Sequence, residues 1–428
     1  MALSHEWTLN FSKFMTLLLE QLRRVVSRVF EKFKIFVSGL WAIPCVLAIR
    51  LVNPFVNISL GSISNDRIGH FVTDACEQKL RAGFNERKRK LDLFWLPGNS
   101  SNLQWEKMVR RELPVYNWVK YLDLWNRYLP GGFVHSRPST YTISRDVQGI
   151  CRDGKGKFSF TEREDRVAKS WLSEFGWKEG LPFVCVLVRD AAYLNQRTLG
   201  GDKSVGLSRW SYHSYRDSDI ESFRPSLEWL ADQGVWIFRM GKIAQKPLNS
   251  EHSRVIDYAF LKDKSDFLDI WLFAHCEFCI STGTGADAVS MVYGRPNLYL
   301  NALPLGDLHS FHQSTWVPKH LIWQATHREL TLPQYCDAYF TASKKYEDSG
   351  IEVKELSEEE IKDSVQEFYL RYLGTWKDSA IDLDLHRKFW TTLENWSNYT
   401  KYHDWRHPES RTATVWLRAR PAEFFNPS

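Results

Sequence analysis

The stretch Phe278-Cys-Ile-Ser-Thr-Gly-Thr-Gly-Ala-Asp-Ala-Val-Ser-Met-Val-Tyr-Gly-Arg-Pro-Asn-Leu-Tyr-Leu-Asn301 fixes the class of fold. It reads as a buried strand, a Ser/Thr/Gly loop, a short helix, a Gly-x-Pro turn and a second strand. The loop residues Ser281, Thr282, Gly283, Thr284 and Gly285 are expected to present free backbone N–H groups and small hydroxyls at a helix N-terminus. That arrangement suits an anion, above all a phosphate or pyrophosphate. In an open α/β sheet, ligands bind where loops leave the carboxyl ends of strands. The segment therefore points to a nucleotide-type ligand, with Asn301 at the end of the second strand counted in the same set.

The same alternation continues on either side. Thr161-x-x-Glu164 is a capping box opening a helix that ends at Gly176, and Ser218-x-x-Glu221 opens another ending near Gly234. FVCVLV (183–188) is a near-continuous apolar run, as a parallel strand covered on both faces requires. VWIFRM (235–240) reads as a strand and SDFLDIWLFAH (265–275) as a helix. Earlier, FVNISLG (55–61) and LDLFWL (91–96) read as strands, each followed by a helical pattern. The expected fold is α/β, with two facing Rossmann-like domains over residues 55–150 and 160–345. A polar, glycine-rich linker is expected within 144–160, and a helical extension over 355–428, beginning with a capped helix at Ser357.

Bulk composition narrows the classes. A chain of 428 residues with 43% hydrophobic and 25% charged residues is globular and long enough for two domains. A net charge of +5 permits acidic membranes or phosphorylated ligands but does not argue for nucleic acid. The 19 tryptophans suit sugar stacking, cores and membrane interfaces alike. Seven scattered cysteines argue for reduced thiols and a cytosolic setting, and Cys276-x-x-Cys279 reads as ordinary packing.

Residues 1–54 are distinct. FSKFMTLLLEQLRRVVSRVFEKFKIFV (11–37) reads as a basic amphipathic helix, followed by about fifteen apolar residues ending at Arg50. That is short of the roughly twenty needed to span a bilayer. The segment is expected to lie on an anionic membrane surface, or else to pack as a hairpin on the protein itself.

Charged groups gather at expected strand ends. Arg189 and Asp190 follow one strand; Arg239, Gly241 and Lys242 end the next; Asp257 and Tyr258 come after it. These would converge on one edge of the sheet, where Arg and Lys can neutralise a diphosphate. His213 and Arg216 lie in a long loop dense in polar groups, where Asp217 or Ser218 can also serve simply as a helix cap. Asp66 and His70 follow the first strand, and either can accept a proton from an acceptor hydroxyl. No Walker A, H-E-x-x-H or G-x-S-x-G motif is present, and no metal is expected.

FVCVLVRDAAYLN (183–195), HSYRDSDIESF (213–223), GVWIFRMG (234–241), VIDYAF (255–260) and the long block 265–306 together resemble bacterial glycosyltransferases of cell-surface polysaccharide synthesis. Weaker matches lie at 66–71 and 91–108. The resemblance implies the two-domain layout called GT-B, with the nucleotide sugar on the C-terminal domain and the acceptor side on the N-terminal one. It places the donor diphosphate near Arg239 and Ser281 to Gly285, with Arg189 and Arg216 close by. It implies a nucleotide-sugar co-substrate without other cofactor, a glycan or lipid-linked acceptor, and a cytoplasmic location, peripheral on the inner membrane. A nucleotide-sugar epimerase of the same fold, and a non-catalytic sugar-binding or scaffold subunit of polysaccharide assembly, remain as alternatives.

Overall fold

The computed structural model describes residues 33, 37, 39–82, 89–139, 145–190 and 211–425. It divides into two compact units, each assembled from separated stretches of chain.

The smaller unit comprises residues up to Ile63, Ala82–Pro97 and Leu113–Ser139. Its sheet has the order β2-β1-β3, with β1 Val56–Ser62, β2 Arg89–Trp95 and β3 Ser136–Arg137, all parallel. Gly61 sits so close to β3 that a Cβ there would come within 2.2 Å of the Arg137 carbonyl oxygen. The helices Ala42–Val52 and Val119–Tyr128 cover the sheet through Ala42, Val46, Ile49, Val119, Leu122 and Trp125, around Leu60. Arg50 turns inward and donates to the carbonyl oxygens of Pro130 and, at 3.1 Å, Leu129.

The larger unit holds Ser64–Arg81, Gly98–Glu112 and the chain from Thr140 onward. Its strands are β4 Phe183–Leu187, β5 Trp236–Arg239, β6 Val255–Ile256, β7 Cys279–Ser281, β8 Asn297–Leu300 and β9 Ser314–Val317. β10 His320–Trp323 and β11 Ile351–Lys354 form a separate antiparallel pair. β12 Arg411–Thr412 completes a seven-stranded sheet of order β12-β9-β8-β7-β4-β5-β6. Every pairing in it is parallel. The chain moves outward from β4 to β6, returns to β7 on the other side of β4, and moves outward again to β9. The direction therefore reverses between β4 and β7, which makes their carboxyl ends a topological switch point. All five residues of β4 are buried, which explains the unbroken apolar run in its sequence.

Local signals act as their chemistry requires. Glu164 Oε2 accepts from Thr161 N–H at 2.8 Å and Thr161 Oγ1 accepts from Glu164 N–H at 3.3 Å, capping the helix Glu162–Glu174. At the other expected box, the cap is neither Asp217 nor Ser218. Asp219 Oδ1 accepts from Glu221 N–H at 2.9 Å and opens a 3₁₀ turn before the helix Arg224–Asp232.

The domain boundaries differ from those expected. Residues 64–81 and 98–112, with Asp66 and His70, group with the larger unit. The expected linker is no linker. Cys151 and Phe158 are buried, and Asp146 accepts from Ile150 and Cys151 N–H at 2.7 and 2.6 Å. Its polarity is absorbed by tight turns. Residues 355–428 are likewise no appendage. After Glu358–Tyr372 comes a second capped helix, Ala380–Glu394, and Phe389, Leu393, Trp416, Leu417 and Phe424 join the core. The basic segment 11–37, Phe33 and Val37 apart, lies outside the described residues. Among the described residues, no helix is long and apolar enough to cross a membrane.

Candidate ligand site at the switch point

Two loops meet where the sheet reverses. Past β4, Arg189 N–H donates to Thr282 Oγ1 at 2.9 Å, while Thr282 N–H donates back to Leu187 O at 3.2 Å. Gly283 takes φ +75°, and its carbonyl accepts from Arg216 Nη2. Arg189 Nε donates to Asp217 Oδ1 at 3.3 Å. Burial and the neighbouring Arg216 charge lower the Arg189 pKa, and burial raises that of Asp217. Arg189, Arg216 and the Ser281–Gly285 loop thus form one hydrogen-bonded constellation.

The loop differs from expectation in one respect. Its amides are not all free: Thr284 N–H donates to Asp287 Oδ2 at 2.9 Å, and Gly283 N–H to Ser281 Oγ at 3.1 Å. The Ser281 hydroxyl in turn donates to Asp287 Oδ2 at 2.6 Å. The chain's own groups thus take up two of the loop's amides. Burial pushes the Asp287 carboxyl up to about 6.

The first turn of the helix Ile68–Ala82 packs directly on this loop. A Cβ on Gly69 would come within 2.9 Å of both the Cα and the carbonyl oxygen of Gly285. The backbones touch because both residues lack side chains. His70 therefore stands one residue from the contact. Its pKa is lowered by burial and then by Arg67, which favours the neutral ring. Asp66 is exposed and accepts from Ser64 Oγ at 3.3 Å.

Beside the switch point lies a cleft of about 780 Å³. Asp190, Asp217, Asp219, Glu347, Glu352 and Glu355 line it, against the cations Arg239, Lys246 and Lys319. The cations are engaged: Arg239 with Asp257 at 3.1 Å, Lys246 with Asp219 at 2.5 Å, and Lys319 with Glu355 at 3.4 Å. Burial lowers the Lys319 pKa. Among the described residues, two buried donors in the cleft wall, Arg239 Nε and Ser218 Oγ, have no hydrogen-bond partner. A buried donor left unpaired costs about 1–3 kcal/mol, so this wall has capacity for a ligand's acceptor oxygens.

Other expected residues lie apart. Lys242 reaches Asp266 at 3.0 Å and Ser101 O at 3.4 Å, joining two helix starts. Tyr258 is buried, and its hydroxyl donates to Ser265 O at 3.3 Å. Asp257 backs Arg239 and accepts from Leu248 N–H at 2.8 Å, and Gly241 packs against Ala259. Asn301 takes φ +55° and accepts from Leu356 N–H at 2.8 Å, a tie between β8 and the chain after β11. The His213 side chain lies outside the described residues. Asp287, Lys246 and Lys319 were not singled out from the sequence. Lys319 follows β9 by two residues and would have been found by the strand-end rule had that short strand been assigned. Cys276 and Cys279 are buried, and among the described residues no group of three or more His, Cys, Asp or Glu side chains is placed to hold a metal ion.

No family model matches this chain, and no curated protein matches it. Among solved structures it is similar to a glycosyl transferase of family 9 from Veillonella parvula DSM 2008, at 10% identity and a TM-score of 0.37. That match covers 61% of this chain and 86% of the other. It is also similar to the E. coli ADP-heptose lps heptosyltransferase II, at 12% identity and a TM-score of 0.33, covering 61% and 90%. At such scores the likeness extends to neither substrate nor site.

Proposed function

We propose that this protein is a glycosyltransferase that moves a sugar from a nucleotide-sugar donor to a surface-polysaccharide or lipid-linked glycan, without a metal ion. The observation that supports this most is the switch point of the parallel sheet, where Arg189 and Arg216 flank the Thr282–Gly283 loop. Open parallel sheets take nucleotides at this place. In this reading the two guanidinium groups offset the charge of the leaving diphosphate as it develops. The neighbouring cleft holds the rest of the donor. Its carboxylates suit hydroxyl-rich ribose and sugar rings, because an ionised carboxylate accepts up to four hydrogen bonds. His70 is the preferred base over Asp66. It stands beside the loop, and burial lowers its pKa, which favours the proton-accepting form.

The test is a thermal-shift and calorimetric screen against UDP, GDP, ADP, CMP and dTDP with their common sugars. One diphosphate at 100 times its Kd is expected to stabilise the fold by about 2.7 kcal/mol. Arg216→Ala is the variant of choice, with an expected tenfold or greater loss of affinity. No binding to any diphosphate, or full binding by that variant, refutes the reading.

A further inference from the structure

The helix Ala42–Val52 is apolar on both sides. Ala42, Val46 and Ile49 face the small unit's core. The opposite side, Pro44, Cys45, Leu47, Ala48, Leu51 and Val52, is exposed and carries no polar side chain. The helix has a single charged residue, Arg50, and that residue is turned inward onto the carbonyl oxygens of Leu129 and Pro130. A water-facing helix normally keeps its charges outside and its apolar stripe inside. This one is apolar outside as well as inside, and its one charge is turned in.

The Arg50 bonds also bring the turn after the helix Val119–Tyr128 alongside. There Tyr128, the last residue of that helix, is 67% and Phe133 84% exposed, and on the helix Ala42–Val52 and just past it Leu51 and Phe55 are 79% exposed each. Trp41 opens the helix, set edge-on against Tyr121 with ring centroids 5.9 Å apart. Exposed apolar side chains accompanied by Trp and Tyr are the composition of a membrane-interface contact. At about 1.5 Å per residue, eleven residues reach about 16 Å, against a hydrocarbon core of about 30 Å, so the helix can lie in a bilayer but not cross it. The charge that precedes it in the sequence decides the kind of surface. Residues 11–37 carry Lys13, Arg23, Arg24, Arg28, Lys32 and Lys34 against only Glu20 and Glu31.

We infer that the outer face of Ala42–Val52, with Phe55, Tyr128 and Phe133, is a docking surface that inserts shallowly into an anionic lipid bilayer. Apolar insertion beside basic charge gives the two signals that stable peripheral binding needs. The inference does not rest on glycosyl transfer, so a failed nucleotide screen leaves it standing.

Cys45 supplies the probe, because it is exposed on this face while the other six cysteines are buried. An environment-sensitive fluorophore on Cys45 of the full chain is titrated with phosphatidylcholine vesicles, with and without phosphatidylglycerol. A blue shift with the phosphatidylglycerol vesicles, quenched by shallow nitroxide lipids, is expected. Leu51→Ser with Phe133→Ser should weaken vesicle binding at least tenfold, with the circular dichroism spectrum and melting temperature unchanged. Sedimentation with vesicles but no change in emission would mean that the basic segment binds alone, and would overturn the inference. So would an absence of vesicle binding. An emission already blue in lipid-free buffer would overturn it too: if concentration-dependent, a second copy covers the face; if not, the chain's own N-terminal residues do.

Discussion

Arg239 shows how a charged residue can be expected at a site and yet be a poor probe of it. Its side chain is 1% exposed and ion-paired with Asp257. Removing it strands a carboxylate, and breaking a buried pair from one side costs about 3–5 kcal/mol. Arg239→Ala is therefore expected to lower the unfolding midpoint in urea by a large margin, and lost turnover there says little about chemistry. Arg216, half-buried on the Gly283 carbonyl, separates the two effects. Arg216→Ala should cost about 1 kcal/mol in the same denaturation while sharply weakening nucleotide binding. At the glycine contact, Gly69→Ala drives a Cβ into the Gly285 backbone at 2.9 Å. Neither partner there is a flexible side chain, so a loss of about 1–3 kcal/mol is expected, measured by thermal melting. Arg189 and Arg239 were readable in advance because they end apolar runs that read as strands, and Arg216 because its loop is dense in polar groups. Asp287 was not. A carboxylate early in a helix is common, and only the folded loop reveals that it serves Ser281 and Thr284.

Elements divide by the strength of their pattern. β4, β5, β7 and β8 lie in the middle of the sheet and are buried on both faces, so their sequences are continuous and hydrophobic. β10 and β12 were missed because they are short and carry His320 or Arg411, with partners drawn from distant chain. A half-buried charge cluster ties β10 to distant parts of the unit. His320 Nδ1 lies 3.0 Å from Glu329 and its Nε2 lies 3.0 Å from Glu360, with Arg420 on the same two carboxylates. Burial alone would lower the His320 pKa, but the two carboxylates raise it to about 9 from an ordinary 6.5. Burial would raise the Glu360 pKa, yet its hydrogen bonds to His320 and Ser357 hold it at about 2, below an ordinary 4.5. The histidine's contribution is whole below pH 6.5 and is lost as pH rises through 9. The glutamate's is present above 4.5 and is lost as pH falls through 2. His320→Gln should therefore cost most between about pH 5 and 6.5, at roughly 2–3 kcal/mol, and little above about pH 9.5, in melting curves across that range.

The molecule as a whole is less separable than its sequence suggests. The alternation of strand and helix patterns indicated two α/β parts in series, but the helix Ile68–Ala82 up to Arg81 and the helix Leu103–Glu112 belong to the larger unit. No local pattern could reveal this, since an amphipathic helix looks the same whichever core covers it. Their ties are specific: Gln104 Nε2–H donates to Glu164 at 2.8 Å, Arg111 donates to Glu164 at 2.9 Å, and Leu103 N–H donates to Asp266 at 2.8 Å. A fragment of residues 140–425 should consequently fail to form a fixed core, giving helical far-ultraviolet but weak near-ultraviolet circular dichroism. A cooperative melt of that fragment would contradict this.

The threading also sets a timetable on the ribosome. Asn102 donates to the Asp266 carbonyl at 2.9 Å, a partner 164 residues later in the chain. At roughly 5–20 residues per second, the nascent chain waits about 8–33 s for it. For that interval Phe71, Val72, Trp105 and Met108, all buried in the finished fold, have been translated while the helix Asp266–His275, which packs on Leu103–Glu112, has not. These two early helices therefore wait with apolar faces uncovered until the later chain arrives.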